Sequence, residues 1–202
     1  MSSPGQSVAG IVLAAGSSRR MGGRDKLYLE MAGESLLRRG VRRAIAAGLD
    51  PVLLVAGPEP DRARSELQDL ACRVVVNDDH AEGMGVSLAR GVAQLPDSTD
   101  AFVALLADMP LVESEMIEEV VRQYRSGAAD LVISRYREQI APPILYGRAL
   151  FAELREVTGD VGGKPVIRRH LDSAIVVEWA PALAQDVDVS EDFEKVRNRL
   201  SS

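Results

Sequence analysis

Val12-Leu13-Ala14-Ala15-Gly16-Ser17-Ser18-Arg19-Arg20-Met21-Gly22-Gly23-Arg24-Asp25-Lys26 changes character at Gly16. Up to that point the residues are apolar and read as a buried strand; beyond it come Gly, Ser and three Arg before the closing Lys26. A strand that opens into a Gly/Ser turn presents unpaired backbone N–H groups, and flanking cations add charge-assisted donors, so the loop suits a polyanion such as a triphosphate. The two standard phosphate loops do not fit. No Gly-x-x-x-x-Gly-Lys-Ser/Thr occurs, and no Gly-x-Gly-x-x-Gly follows the first strand.

Outward from this loop, apolar or β-branched runs at 8–14, 52–55, 73–76, 101–106 and 131–134 read as strands. Helical patterns at 35–47, 61–70, 86–94 and 114–124 separate them. The alternation predicts an α/β fold of three layers: a mostly parallel central sheet with helices on both faces. Such sheets bind ligands beyond the carboxyl ends of their strands, where the strand order switches. The loops at Gly16, Asn77 and Asp108 all leave those ends and are expected to converge on one rim. Residues 140–146 are a further strand candidate, but Pro142-Pro143 suits an edge or a loop better than a central strand. Residues 149–157 and 165–171 read as helices, 159–163 as a turn and 174–179 as a strand. Ser190 is placed to cap a last helix over 190–200, with Glu191 and Asp192 in its first turn.

The 202 residues are enough for one sizeable core, and no Pro/Gly/Ser-rich linker divides them, so one domain over 1–202 is expected. One cysteine, Cys72, excludes an internal disulfide framework and fits a reducing compartment. No basic leader or apolar run long enough for a membrane span is present, which points to a cytoplasmic protein that meets no membrane. A formal net charge of −6 argues against nucleic acid as a partner. Arg38, Arg39, Arg42 and Arg43 stack at helical spacing and read as a solvated face with no assigned role.

Asp108 follows an apolar run where a central strand should emerge. A carboxylate there can hold Mg²⁺, which takes one or two protein oxygens and leaves the rest to phosphate and water; the alternative is a turn-starting Asp before Met109-Pro110. Asp186 and Asp188 alternate along an extended segment, so their side chains share one side and either could supply a second carboxylate. His80 and His170 are too far apart in sequence for a metal pair and read as surface or packing residues.

Leu13-Ala14-Ala15-Gly16, Ser18, Arg20-Met21-Gly22 and Lys26 resemble the signature loop of the MobA-like nucleoside triphosphate transferases. Asn77 with Glu82-Gly83-Met84-Gly85-Val86-Ser87-Leu88, and Leu106-Ala107-Asp108-Met109-Pro110, resemble that family's cytidylyltransferase branch, as does Asp186-Val187-Asp188-Val189-Ser190-Glu191-Asp192. The resemblance implies the nucleotide-diphospho-sugar transferase fold and a Mg²⁺-dependent nucleotidyltransferase. CTP would be joined to the terminal phosphate of molybdopterin or another small-molecule acceptor, with pyrophosphate released and a molybdoenzyme as candidate recipient.

On this reading Lys26 and Arg20 stabilise phosphate charge, and no general base is needed because the attacking group is already an oxyanion. Leu13, Ala14, Ala15, Gly16, Ser17, Ser18, Asn77, Gly83 and Ser87 would bind the nucleotide. Gly83 and Gly85 would admit ligand close to the backbone. Asp108 and Asp188 would hold the metal, and Pro143, Tyr146, Asp160 and Lys164 would contact the acceptor. One extra glycine, Gly22 or Gly23, lengthens the loop before Lys26 relative to the usual family spacing. Relatives named as nicotine blue reductases imply an alternative: an NAD(P)H-dependent, FMN-containing quinone-type oxidoreductase on the same fold.

Overall fold

The computed structural model describes residues 6–14, 25–57 and 60–184. Its strands are β1 (Val8–Ala14), β2 (Glu30–Met31), β3 (Glu34–Ser35), β4 (Val52–Ala56), β5 (Cys72–Val76), β6 (Ala101–Leu106), β7 (Leu131–Tyr136), β8 (Gln139–Ile140), β9 (Ile144–Gly147) and β10 (Ile175–Glu178). The α-helices are α1 (Leu36–Ala46), α2 (Pro60–Glu66), α3 (Met84–Ala93), α4 (Ser114–Arg125), α5 (Phe151–Arg155) and α6 (Lys164–His170).

The main sheet runs β10-β7-β9-β6-β1-β4-β5, with β8 paired to β7 and β2–β3 forming a separate hairpin. All of its long pairings are parallel except those of β9, which runs against both β6 and β7. From β1 the chain moves to β4 and β5 on one side, then returns to β6 on the other. The strand order therefore switches at β1, and its carboxyl end adjoins that of β6 through the pairing Leu13↔Leu106.

Alternation along the buried strands sends neighbouring residues into two separate cores. Val8, Val12, Leu54, Val103 and Leu105 meet Leu37, Val41 and Ala44 of α1 and Ile117, Val120 and Val121 of α4. Ala9, Ile11, Leu53, Val55, Phe102 and Ala104 meet Leu88 and Val92 of α3, Phe151 and Leu154 of α5, and Val166 and Ile167 of α6. These are the three layers expected from the sequence. Phe102 stacks on Tyr146 at 5.3 Å between ring centroids, a pairing that contributes about 0.5–1.5 kcal/mol beyond burial.

Pro142-Pro143 lie in a loop, one of the two placements expected, and the strand that follows them, β9, is central to the sheet. It begins at Ile144, after both prolines, so each of its residues keeps a backbone N–H for the ladder. The prolines stay in the preceding turn, where the Tyr136 hydroxyl donates to the Pro142 carbonyl and the Ser134 hydroxyl to that of Pro143, both at 2.7 Å. The second helix ends at Glu66 rather than 70 and the fifth covers only five residues. The helix expected over 190–200 lies outside the described residues. Among the described residues, no helix is long and apolar enough to cross a membrane.

Candidate active site

From Asp25 the chain is held by a series of local contacts. Asp25 caps a single turn over Lys26–Tyr28, its Oδ1 accepting from the Leu27 N–H at 3.2 Å. Leu27 is buried in the first core, and the Arg62 guanidinium lies 3.6 Å over the Tyr28 ring. Lys26 is thus held from both sides of its own turn.

On the opposite side of the crevice, the Ala107 N–H donates to the Leu13 carbonyl at 3.1 Å, extending the β1–β6 pairing by one residue. Asp108 is thereby the first residue free of the sheet, at the switch point. The Lys26 Nζ donates to Asp108 Oδ2 at 2.7 Å, with the two side chains 12 % and 22 % exposed. An ion pair this far out of water gives up much of its Coulombic gain to desolvation, so its presence is better explained by what it positions than by stability. Two of the residues expected to carry the chemistry, 82 positions apart, are in direct contact.

Asn77 follows β5 and is fully buried. Its Nδ2 donates to the Ser87 hydroxyl at 2.9 Å and its Oδ1 accepts from the Asp79 N–H at 3.2 Å. Asn77 and Ser87 are therefore brought together, but facing each other, and together they shape the 77–87 loop at the rim. Gly83, at φ +110°, and Gly85 are required by the packing of two loops. A Cβ at Gly83 would lie 2.6 Å from the backbone of Gly159 and Asp160, and one at Gly85 would lie 2.8 Å from the Thr158 and Gly159 carbonyls. Protein backbone from the 158–160 segment occupies the space the missing side chains leave. The Met84 N–H donates to Asp160 Oδ1 at 3.3 Å, tying the same two loops.

The expected acceptor residues separate according to the direction of β9. Pro143 and Ile144 lie beside the carboxyl end of β6, through Ala104↔Ile144, whereas Tyr146 pairs with Phe102, farther down the strand. Tyr146 is 2 % exposed in the second core, and burial pushes its hydroxyl pKa up, so it does not line the rim. Lys164 is exposed at the first turn of α6. Behind the proline turn, the Trp179 indole N–H donates to the Ser134 hydroxyl at 2.9 Å, which in turn donates to Pro143. Leu13 and Ala14 end β1 at the rim, Leu13 itself buried and Ala14 half-buried. Ala15, Gly16, Ser17, Ser18, Arg20 and Asp188 lie outside the described residues, as do Arg19, Arg24 and Asp186.

The solvated-face reading of the arginine run is corrected at Arg39. Its guanidinium is 6 % exposed and donates to the Pro110 carbonyl at 2.9 Å, Glu34 Oε1 at 3.2 Å and Glu113 Oε1 at 3.0 Å. No sequence period distinguishes Arg39 from its neighbours, because both carboxylate partners come from other elements. Arg38 and Arg42, in contrast, pair with Asp69 and Glu34 toward solvent.

The chain matches the family model for the MobA-like NTP transferase domain over residues 10–174. It belongs to that family. The MobA-like NTP transferases are nucleotidyltransferases that use nucleoside triphosphates, and this chain is an enzyme of that kind. It is 28 % identical over 209 residues to the purine catabolism protein PucB of Bacillus subtilis (strain 168), covering 95 % of this chain and 97 % of that one. It is 27 % identical to a probable molybdenum cofactor guanylyltransferase of Natronomonas pharaonis, covering 95 % and 98 %. A nicotine blue oxidoreductase of Paenarthrobacter nicotinovorans is 26 % identical, covering 94 % and 96 %. Among solved structures, Rv0371c of Mycobacterium tuberculosis H37Rv superposes with a TM-score of 0.85 at 24 % identity, covering 97 % of this chain and all of that one. The manganese complex of the same protein gives 0.80 at 22 %, covering 96 % and 100 %.

Nucleotidyltransferases of this fold commonly use divalent metals. The donor set is compatible with a hard cation of that kind. Among the described residues no three His, Cys, Asp or Glu side chains converge on a metal site.

Proposed function

We propose that this protein is a Mg²⁺-dependent CTP:molybdopterin cytidylyltransferase, carried by one domain over 1–202, joining the nucleotide to the acceptor's terminal phosphate and releasing pyrophosphate. The observation that carries the reading is the 2.7 Å contact between Lys26 and Asp108 at the crevice where the strand order switches. A cation and a hard oxygen donor side by side suit the α-phosphate and its counter-ion, where charge builds as pyrophosphate departs.

The chemistry asks mainly for alignment. The acceptor phosphate oxygen attacks the α-phosphorus in line with the departing pyrophosphate, and the P–O bond to the β-phosphate breaks as the new one forms. Lys26 and Arg20 would hold non-bridging oxygens. Asp108 and Asp188 would hold Mg²⁺, which when bound neutralises phosphate charge. The loop braced by Asn77 and Ser87 would bound the nucleoside, with Gly83 setting its shape. Ala15, Gly16, Ser17 and Ser18, following Leu13 and Ala14, would offer backbone donors to the phosphates. Pro143, Asp160 and Lys164 remain assigned to the acceptor side, and Tyr146 supports them from the core.

The test is titration of CTP, GTP, FMN and NADH with and without Mg²⁺, on protein whose absorbance spectrum has been recorded, repeated with Asp108→Asn. Mg²⁺-dependent selectivity for CTP, lost in Asp108→Asn with the fold intact, is the expected result. Full binding and transfer by Asp108→Asn would overturn the assignment. A second reading, an NAD(P)H-dependent FMN oxidoreductase, is favoured by the full-length similarity to the nicotine blue oxidoreductase. Bound flavin, or NADH affinity indifferent to Mg²⁺, would select it.

A further inference from the structure

We infer that Arg39 is a positioning residue that sets the separation between Lys26 and Asp108; the inference rests on the nucleotidyltransferase reading of that pair. Each of the three bonds of its guanidinium ends on a segment leading to one of the two residues. Pro110 and Glu113 lie two and five positions beyond Asp108 in the same loop. Glu34 stands on the β2–β3 hairpin that follows the Lys26–Tyr28 turn; the Leu36 N–H, at the start of α1, donates to the Leu29 carbonyl at 3.2 Å and closes the base of that hairpin, while the Leu29 N–H donates to the Lys26 carbonyl at 3.2 Å and ties it to the turn. The path from Lys26 through Leu29, the hairpin, Glu34, Arg39 and Pro110 to Asp108 is continuous in covalent and hydrogen bonds.

The next residue on α1, Gly40, brings the helix close under the same loop: a Cβ there would sit 3.6 Å from the Ala107 Cα. Helix α1 thus supports Asp108 by packing on one side and by the Arg39 fork on the other. A buried guanidinium is a poor way to add stability, because desolvation consumes most of its pairing energy. It is a good way to fix three acceptors in one plane at set angles, which a lysine's single ammonium cannot reproduce. Glu34 and Glu113 are each held by a second arginine, Arg42 and Arg43 respectively, so among the described residues Arg39 is the link common to both carboxylates.

The experiment uses the full chain with Arg39→Lys, Glu113→Gln, Asp108→Asn, Lys26→Met and the outer control Arg42→Gln. Two quantities are read: Mn²⁺ affinity in the presence of CTP, by electron paramagnetic resonance, and the side-chain ammonium ¹⁵N–¹H signal of Lys26, assigned by its loss in Lys26→Met. Arg39→Lys is expected to weaken Mn²⁺ binding about ten-fold or more and to remove or shift the Lys26 signal as Asp108→Asn does, the scale typical of groups that orient metal ligands. Arg42→Gln is expected to leave both readouts within two-fold of the parent, on the order expected for an exposed pair. Where Arg39→Lys does not fold, Glu113→Gln, at the more exposed end of the fork, is expected to give the same two changes in weaker form. An Arg39→Lys or Glu113→Gln protein that loses thermal stability but keeps the Lys26 signal and Mn²⁺ affinity overturns the inference. If the parent itself binds no Mn²⁺ with CTP, the transferase reading falls, and the Lys26 signal alone still decides the role of Arg39.

Discussion

The Lys26 ammonium rests on the same carboxylate, Asp108, that is assigned to the metal, with Nζ 2.7 Å from Oδ2. A metal ion approaching Asp108 must therefore compete with a cation already in place, and a triphosphate that draws Lys26 toward its own oxygens relieves the competition. Lys26→Met is expected to tighten Mn²⁺ binding in the absence of nucleotide while weakening CTP binding about ten- to a hundred-fold, the loss of one charge-assisted contact. Paired titrations check this. Tighter or unchanged CTP binding in Lys26→Met would remove Lys26 from the phosphate site.

Gly83→Ala and Gly85→Ala would each force a methyl into backbone that passes within 3 Å. Either is expected to cost about 1–3 kcal/mol by displacing the 157–160 segment, with Gly83→Ala adding strain from its positive φ. Thermal denaturation measures the cost. Wild-type stability with selectively poorer nucleotide binding would return these glycines to the ligand.

Acid lability should follow from carboxylates held below their usual range. Hydrogen bonds from Arg42, then its charge and that of Arg39, lower the Glu34 pKa from its ordinary 4.5; His170 chiefly lowers Glu153 and Arg38 lowers Asp69. A group whose folded pKa is depressed contributes stability that is complete above its unfolded pKa and is lost as the pH falls through the folded one. The melting temperature is expected to hold above the ordinary carboxylate value and to drop below it, with a shallower drop in Glu34→Gln. An identical acid slope in that variant would show Glu34 to be unlinked.

Cys72, at the start of edge strand β5, is expected to be a slow thiol. Burial pushes its pKa up to about 11, so at pH 8 the thiolate fraction is on the order of one in a thousand. Alkylation by iodoacetamide should lag a free cysteine by orders of magnitude at pH 8 and accelerate on denaturation. Rapid labelling of the native protein would contradict it.

Much of the fold was legible because its strands are buried on both sides and so appear as uninterrupted apolar runs between helical patterns. The exceptions have local causes. The strand candidate over 140–146 was legible, but the prolines at its entrance obscured both its start at Ile144 and its central place, since a sequence does not say on which residue a ladder begins. The β2–β3 hairpin has two-residue strands, too short for any period, yet it carries Glu34. The rim loops at Lys26, Asn77 and Asp108 were identifiable from residue type at strand ends, and Lys26 does meet Asp108. What approaches a glycine was not legible: Gly83 and Gly85 admit the 157–160 backbone. Nor was the partnering of long-range polar groups, which is why Asn77 and Ser87 facing each other, and the burial of Arg39, emerged only in three dimensions.

Trp179 is the sole tryptophan of the chain, and its indole N–H ends a relay through Ser134 to the turn at Pro143. That gives the enzyme a built-in fluorophore on one half of the sheet, at the end of β10 and separated from β1 by three strands, β7, β9 and β6. Its emission is expected to respond to changes at the proline turn, to which it is hydrogen-bonded through Ser134. An acceptor that settles on that turn could then be followed by the protein's own light, without a label.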